Sequence, residues 1–271
     1  MNRIDARFAE LKAAGRPGLI TFTTAGDPGP TLTVDVMHAL VRHGADLLEL
    51  GMPFSDPMAD GPVIQQANER ALAKGVGLKH VLDAVTAFRA GDATTPVVLM
   101  GYLNPIERYG FVRFAEAAAA AGADGMLLVD CPIEESGEYA ETIQRLGLHQ
   151  VFLLAPTTPL ARRQQIAARA SGFIYYVSFK GITGAGHLEQ GSAVSALDEL
   201  RGLSQVPIAV GFGIKDAASA SALGAHAEAI VIGSALVERL DGAQDAADID
   251  ARLSAFLPPI RDALRATRRA G

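Results

Sequence analysis

At 271 residues the chain is long enough for two small domains or one large one, and α/β barrels of roughly 250 residues fold as one unit. A formal net charge of -6 argues against nucleic acid as the main partner, because phosphate backbones are held by clusters of Lys and Arg. Cys131 is the only cysteine, which excludes an intrachain disulfide and a cysteine-based zinc cluster.

The opening residues M-N-R-I-D-A-R-F-A-E lack the apolar centre of a signal peptide. No apolar run approaches the roughly 18 residues of a membrane span, so a soluble, cytoplasmic protein is expected. The segment up to Ala14 reads as a helix placed before the first strand, closing the floor of a barrel. Strand-like runs then follow at Gly18 to Thr24, Asp46 to Leu50, Pro96 to Met100, Gly125 to Val129, Gln150 to Leu154, Phe173 to Phe179, Pro207 to Gly211 and Ala229 to Gly233.

Helical patterns lie between them: Thr31 to Arg42, Val63 to Arg89 in two pieces broken at Gly75 and Gly77, Phe111 to Ala121, Glu134 to Arg145, Pro159 to Ala170, Ala193 to Leu203, and Ala217 to Leu223. A final pattern from Ile249 to Arg269 is expected to break at Pro258-Pro259. Its arginines Arg261, Arg265, Arg268 and Arg269 suit the solvent face and last turn of that helix. Strand and helix alternate, and a glycine closes most helices just before the next strand, as in His43-Gly44-Ala45-Asp46 and Ala121-Gly122-Ala123-Asp124. Eight such units fit an α/β fold of one kind, a single (β/α)8 barrel with an extra N-terminal helix, spanning residues 1–271 as one domain.

Chemistry in a barrel belongs at the carboxyl ends of its strands. The stretch D-L-L-E-L-G-M-P-F-S-D-P-M-A-D-G-P from Asp46 to Pro62 places Glu49 inside an apolar strand, on one face with Leu47 and Gly51. A carboxylate buried there has a raised pKa, a paired cation, or a place at the strand's open end. Each of those outcomes suits a proton-transfer group; the plain alternative is a core glutamate paired to an Arg or Lys. The loop that follows carries three prolines and presents Asp56 and Asp60 near the same strand end, although either aspartate can also be an ordinary turn former.

Glycines end strands 7 and 8, in Gly211-Phe212-Gly213-Ile214 and Gly233-Ser234-Ala235. Barrels commonly bind phosphate there on exposed backbone N–H groups. The long loop from Ser178 to Gly191 contains K-G-I-T-G-A-G-H-L-E-Q; its glycines suit either a lid over substrate or a merely long surface loop. Lys180 in that loop suits a phosphate or loop contact better than a Schiff base. The histidines His38, His43, His80, His149, His187 and His226 show no metal-ligand spacing.

The motifs F-T-T-A-G-D-P from Phe22, E-L-G-M-P-F-S-D-P-M-A-D-G-P from Glu49, Y-x-N-P from Tyr102 and G-I-T-G-A from Gly181 together resemble the α subunit of tryptophan synthase, along essentially the whole chain. That resemblance implies a (β/α)8 lyase that splits indole-3-glycerol phosphate into indole and glyceraldehyde 3-phosphate. It also implies a pyridoxal-phosphate β subunit as partner in an α2β2 heterotetramer, with no cofactor in this chain. By resemblance, Glu49 shuttles protons and Asp60 accepts the indole N–H. Phe22, Ile64, Leu99, Leu127 and Phe212 enclose the ring, and Tyr102, Tyr175 and Thr183 complete the substrate site. Phosphate rests on Gly184, Gly213, Gly233 and Ser234, and Pro53, Asp56 and Asn104 face the partner. Many relatives carry an arginine shortly after T-G-A, where Gly186 and His187 stand here. Two other readings remain open: a different phosphate-binding barrel such as an isomerase or indole-glycerol-phosphate synthase, and a scaffold that only activates a partner.

Overall fold

The computed structural model describes residues 1–177, 187–211 and 213–267, apart from the side chains of 187–194. Its strands are β1 (Gly18–Thr24), β2 (Leu47–Gly51), β3 (Val97–Gly101), β4 (Gly125–Leu128), β5 (His149–Leu154), β6 (Ile174–Val177), β7 (Ile208–Gly211) and β8 (Ala229–Ile232). All pair in parallel with their sequence neighbours, and β8 returns to β1, so the sheet closes into a barrel. The expected (β/α)8 architecture is the one observed.

Helices α1 (Arg3–Ala13), α2 (Thr33–Arg42), α3 (Pro62–Ala73), α4 (Leu78–Arg89), α5 (Leu103–Tyr109) and α6 (Phe111–Ala121) accompany the first half. The second half carries α7 (Gly137–Arg145), α8 (Leu160–Arg169), α9 (His187–Leu203), α10 (Ala217–Gly224), α11 (Ser234–Leu240) and α12 (Ala246–Ala266). Three differences from expectation stand out. Helices α5 and α11 are single short elements hidden in what reads as loop, each only 7 residues long. Helix α9 begins at His187, inside the expected long loop. Finally, α12 runs unbroken through Pro258 and Pro259, because Ile249, Leu253, Leu257, Ile260 and Leu264 form one buried stripe whose packing outweighs the lost backbone bonds.

Strand alternation sorts the core into two layers. Outward residues such as Leu48, Leu50, Leu99 and Met126 pack against the helices. Inward residues such as Ile20, Leu47, Val98, Leu127 and Val151 fill the barrel together with Ile4, Phe8 and Leu11 of α1, which therefore plugs the barrel from below.

The floor is built by a repeat. Asp46, just before β2, accepts the N–H of Leu19 at the start of β1 at 2.9 Å and takes both Arg16 nitrogens at 2.9 and 2.8 Å. Asp124, before β4, accepts Val97 N–H at the start of β3 and also binds Arg3 and Arg89, at 2.8, 2.8 and 2.7 Å. Before β6 and β8, Ser171 Oγ accepts from Gln150 N at 3.0 Å and Glu228 from Ile208 N at 2.8 Å. Each odd-numbered strand is thus started by a side chain that precedes the next even-numbered one, which satisfies a donor the ladder leaves over.

Candidate active site

The opposite end of the barrel treats its carboxylates differently. Glu49 sits on the inner face of β2, in register with Phe22 on β1 and Val98 on β3. It is 1% exposed, and among the described residues neither of its carboxylate oxygens has a hydrogen-bond partner. Burial pushes its pKa up to about 8. At neutral pH the group is therefore mostly a neutral acid, able to give a proton and then take one back.

Asp60 stands on the proline-rich loop that leads from β2 to α3. Pro62 opens α3, and the Gln65 side-chain amide donates to the Asp60 carbonyl at 2.8 Å, tying the loop to the helix it precedes. Burial raises the Asp60 pKa to about 6, while hydrogen bonds from Tyr102 and Asn68 oppose that rise. At pH 7 Asp60 is an anion facing a neutral Glu49. Two nearby carboxyl groups in opposite states are the mark of an acid and an electrostatic partner.

Tyr175 on β6 lines the same space. Its phenol pKa is raised well above the usual tyrosine range by burial, then by the charges of Glu49 and Asp60, so it remains a hydrogen-bond donor. Gly211 on β7 makes room for it, since a methyl group there would run into the Tyr175 hydroxyl.

Glu49, Asp60, Phe22, Ile64, Tyr175, Gly213, Gly233 and Ser234 all line one cavity of about 990 Å³. Gly213 has φ +72, a conformation that suits glycine, and Ser234 begins α11. The cavity therefore has a carboxylate end and a backbone-rich end, an arrangement suited to a flat apolar ligand with an anionic tail.

Two of the expected ring contacts lie elsewhere. Leu99 points outward into the layer between sheet and helices, and Met100 lines the cavity from β3 instead. Leu127 belongs to the packed barrel interior, while Val129 reaches the cavity. For Leu99 the reason is the period of two, which puts adjacent residues on opposite faces; Leu127 and Val129 share the inner face, and Val129 stands nearer the rim. Tyr102 borders a small cleft beside Asp60 that it shares with Asn68 and Met52, and that adjoins the main cavity at Phe22, Met100 and Val129. Thr183, Gly184 and Phe212 lie outside the described residues, as do Lys180 and Gly186. At the rim, Asp56 and Asn104 are exposed, whereas Pro53 is buried within the chain itself and offers little surface to a partner.

Residues absent from the sequence-based set include Asn68, Met100 and Lys215. Lys215 is exposed and lines the cavity two residues beyond Gly213. Its place after a strand-7 glycine cluster is the signal that could have found it. Asp130, which follows β4, holds the first turn of α5 by accepting the Leu103 N–H at 2.7 Å.

Residues 8–264 match the family described as Tryptophan synthase alpha chain. The chain belongs to that family. The tryptophan synthase alpha chain of Laribacter hongkongensis is 58% identical over 266 residues, covering 98% of this chain and 100% of that one. Among solved structures, tryptophan synthase subunit alpha from Legionella pneumophila superposes with a TM-score of 0.90 at 44% identity, over 97% of this chain and 98% of that one. A tryptophan synthase complex from Pyrococcus furiosus aligns with a TM-score of 0.82 at 36% identity, over 90% of this chain and 98% of the other. The family is a lyase of tryptophan biosynthesis whose alpha subunit cleaves indole-3-glycerol phosphate.

Proposed function

We propose that the chain, working as one barrel unit, performs this cleavage as a retro-aldol reaction with Glu49 as the proton shuttle and Asp60 as the ring's electrostatic partner. Neutral Glu49 gives its proton to the indole carbon that carries the glycerol chain, and the ring becomes cationic at nitrogen. The Asp60 anion accepts the ring N–H and stabilises that charge. Glu49, now a carboxylate, takes the proton of the adjacent hydroxyl. The carbon–carbon bond then breaks, its electron pair returns to the ring, and the carbinol becomes the aldehyde of glyceraldehyde 3-phosphate. Glu49 ends protonated, as it began, so the proton count closes within one turnover.

Phe22, Ile64 and Met100 enclose the ring, Tyr175 donates to the glycerol part, and Gly213, Gly233 and Ser234 hold the phosphate on backbone N–H groups. Thr183, Gly184 and Phe212 keep the roles that the family resemblance gives them. Indole then passes to a β subunit, which carries the pyridoxal phosphate, in an α2β2 assembly whose contact surface includes Asp56 and Asn104. The setting for the whole reaction is cytoplasmic.

The observation that carries this reading is the pair of unpartnered Glu49 oxygens aimed into a ligand-sized cavity. Glu49→Gln should lower indole release from indole-3-glycerol phosphate by more than about a thousandfold, the combined size expected when one group supplies two proton transfers. Binding of a β subunit should survive, which separates loss of chemistry from loss of fold. Unchanged indole release in this variant would rule the mechanism out.

A further inference from the structure

Of the proposed pair, Asp60 is the carboxylate with polar side chains beside it, Tyr102 and Asn68, which share a small cleft with it. Tyr102 caps α5 and packs its ring 5.3 Å from that of Phe54. Its hydroxyl accepts the N–H of Ala59 at 3.0 Å. A phenol has one proton to give, and with Ala59 acting as donor, that proton is free for the Asp60 carboxylate next along the chain. Asn68 comes from α3, is 4% exposed, lines the same small cleft as the Asp60 carboxylate, and opposes the rise in that group's pKa. Tyr102, Asn68 and Asp60 line one small cleft, apart from Tyr175 and the glycine-lined phosphate end of the larger cavity.

We propose that Tyr102 and Asn68 are positioning residues for Asp60: together they hold its carboxylate ionised and aimed, leaving its remaining lone pairs for the ring N–H of the ligand. This rests on the cleavage reading above and assigns Tyr102 to the support of the site rather than to substrate contact. Without both donors a carboxyl group this buried moves toward its neutral form, and a protonated Asp60 cannot stabilise a cationic ring. The same two contacts also pin the end of the β2–α3 loop, since Tyr102 grips Ala59 and Asn68 belongs to the helix that follows.

Among the described residues, the polar and titratable groups around Asp60 come from four elements and one rim position. Tyr102 comes from the rim of β3, Asn68 from α3, Glu49 from β2 and Tyr175 from β6, while Asp130 at the rim of β4 acts on Tyr102. Glu49 is neutral where Asp60 titrates, and Tyr175 stays protonated throughout. The acid limb of the rate profile therefore reports Asp60, and the alkaline limb reports Glu49.

The test is the pH profile of kcat/KM for indole-3-glycerol phosphate in the wild type, Tyr102→Phe and Asn68→Leu, each in complex with a β subunit. Tyr102→Phe keeps the ring packed on Phe54, so the fold should persist. In both variants the acid limb should move upward by about one pH unit, the effect of losing one hydrogen bond to a partly buried charge. The alkaline limb should stay in place, and raising the pH should restore much of the lost rate. In an Asp60→Asn background, Tyr102→Phe should have little further effect on kcat. A uniform loss of rate at every pH, with both limbs fixed, would mean a merely structural role and overturn the proposal. An unchanged profile would overturn it too. A wild type that releases no indole would instead overturn the cleavage reading on which the proposal rests.

Discussion

The two ends of the barrel bury acidic side chains in opposite ways. At the floor, Asp46 and Asp124 are 5% and 2% exposed, yet every oxygen meets a guanidinium or a backbone N–H. At the rim, Glu49 is 1% exposed with both oxygens unpartnered. Burial is the same in both places, so burial alone does not identify a working carboxylate. What distinguishes Glu49 is that the described residues supply no partner and leave a cavity in front of it, which is where stability has been given up for chemistry.

The largest expected effect lies at the floor. Asp124→Ala leaves the Val97 N–H and the charges of Arg3 and Arg89 without their shared acceptor, and breaking a buried pair of this kind costs about 3–5 kcal/mol. Denaturant unfolding should show that loss, while the kcat of the remaining folded protein stays at the wild-type value. A variant that unfolded normally but failed to cleave substrate would break the division between a structural floor and a chemical rim.

The rim should respond with the opposite sign. A carboxyl group whose pKa is raised on folding imposes no cost below its unfolded value, and a growing cost as pH rises through the folded one. For Glu49 the window runs from 4.5 to about 8. Linkage then gives a cost of about 3 kcal/mol at pH 7. Glu49→Gln should therefore be more stable than the wild type by that order at pH 7, with the advantage shrinking to near zero by pH 4.5. Unfolding free energies measured across this range would sharpen the comparison, and a variant less stable at every pH would remove it.

How much of this was legible in the sequence depended on distance along the chain. Glu49 and Asp60 occur within one short motif, so their meeting at a strand end needed only the assumption of a barrel. The two glycine clusters were legible for the same reason, each being a local pattern after a strand. Leu99 was expected where its neighbour Met100 stands, because facing is fixed by register with β2 and β4, which pair Gly51 with Met100 and Met100 with Leu127, and no single strand reveals that. The neighbours Asn68 and Tyr102 of Asp60 were invisible because one follows β2 and the other β3, and only the pairing of those strands brings them together. Pro258-Pro259 misled for a related reason: a local breaker was outweighed by a stripe of contacts to other helices.

The smallest expected effect concerns Lys215, a basic side chain beside the phosphate-side glycine Gly213. Lys215 is exposed and lines the cavity beyond Gly213, and its backbone N–H is engaged by Ser219 Oγ at 3.3 Å, which fixes the base of the side chain and leaves the ammonium free to reach inward. An exposed ammonium near a phosphate adds attraction without fixed geometry, so its contribution is modest and screened by salt. Lys215→Ala should raise KM for indole-3-glycerol phosphate about threefold to tenfold at low ionic strength with kcat unchanged, and Lys215→Arg should restore it. The difference should fade as salt is added, and should vanish for a substrate analogue that lacks the phosphate. Equal losses with both substrates would place the effect in the fold of the β7–α10 turn. The rim would then share the floor's dependence on fixed structure at that point, and its charges would no longer form a class of their own.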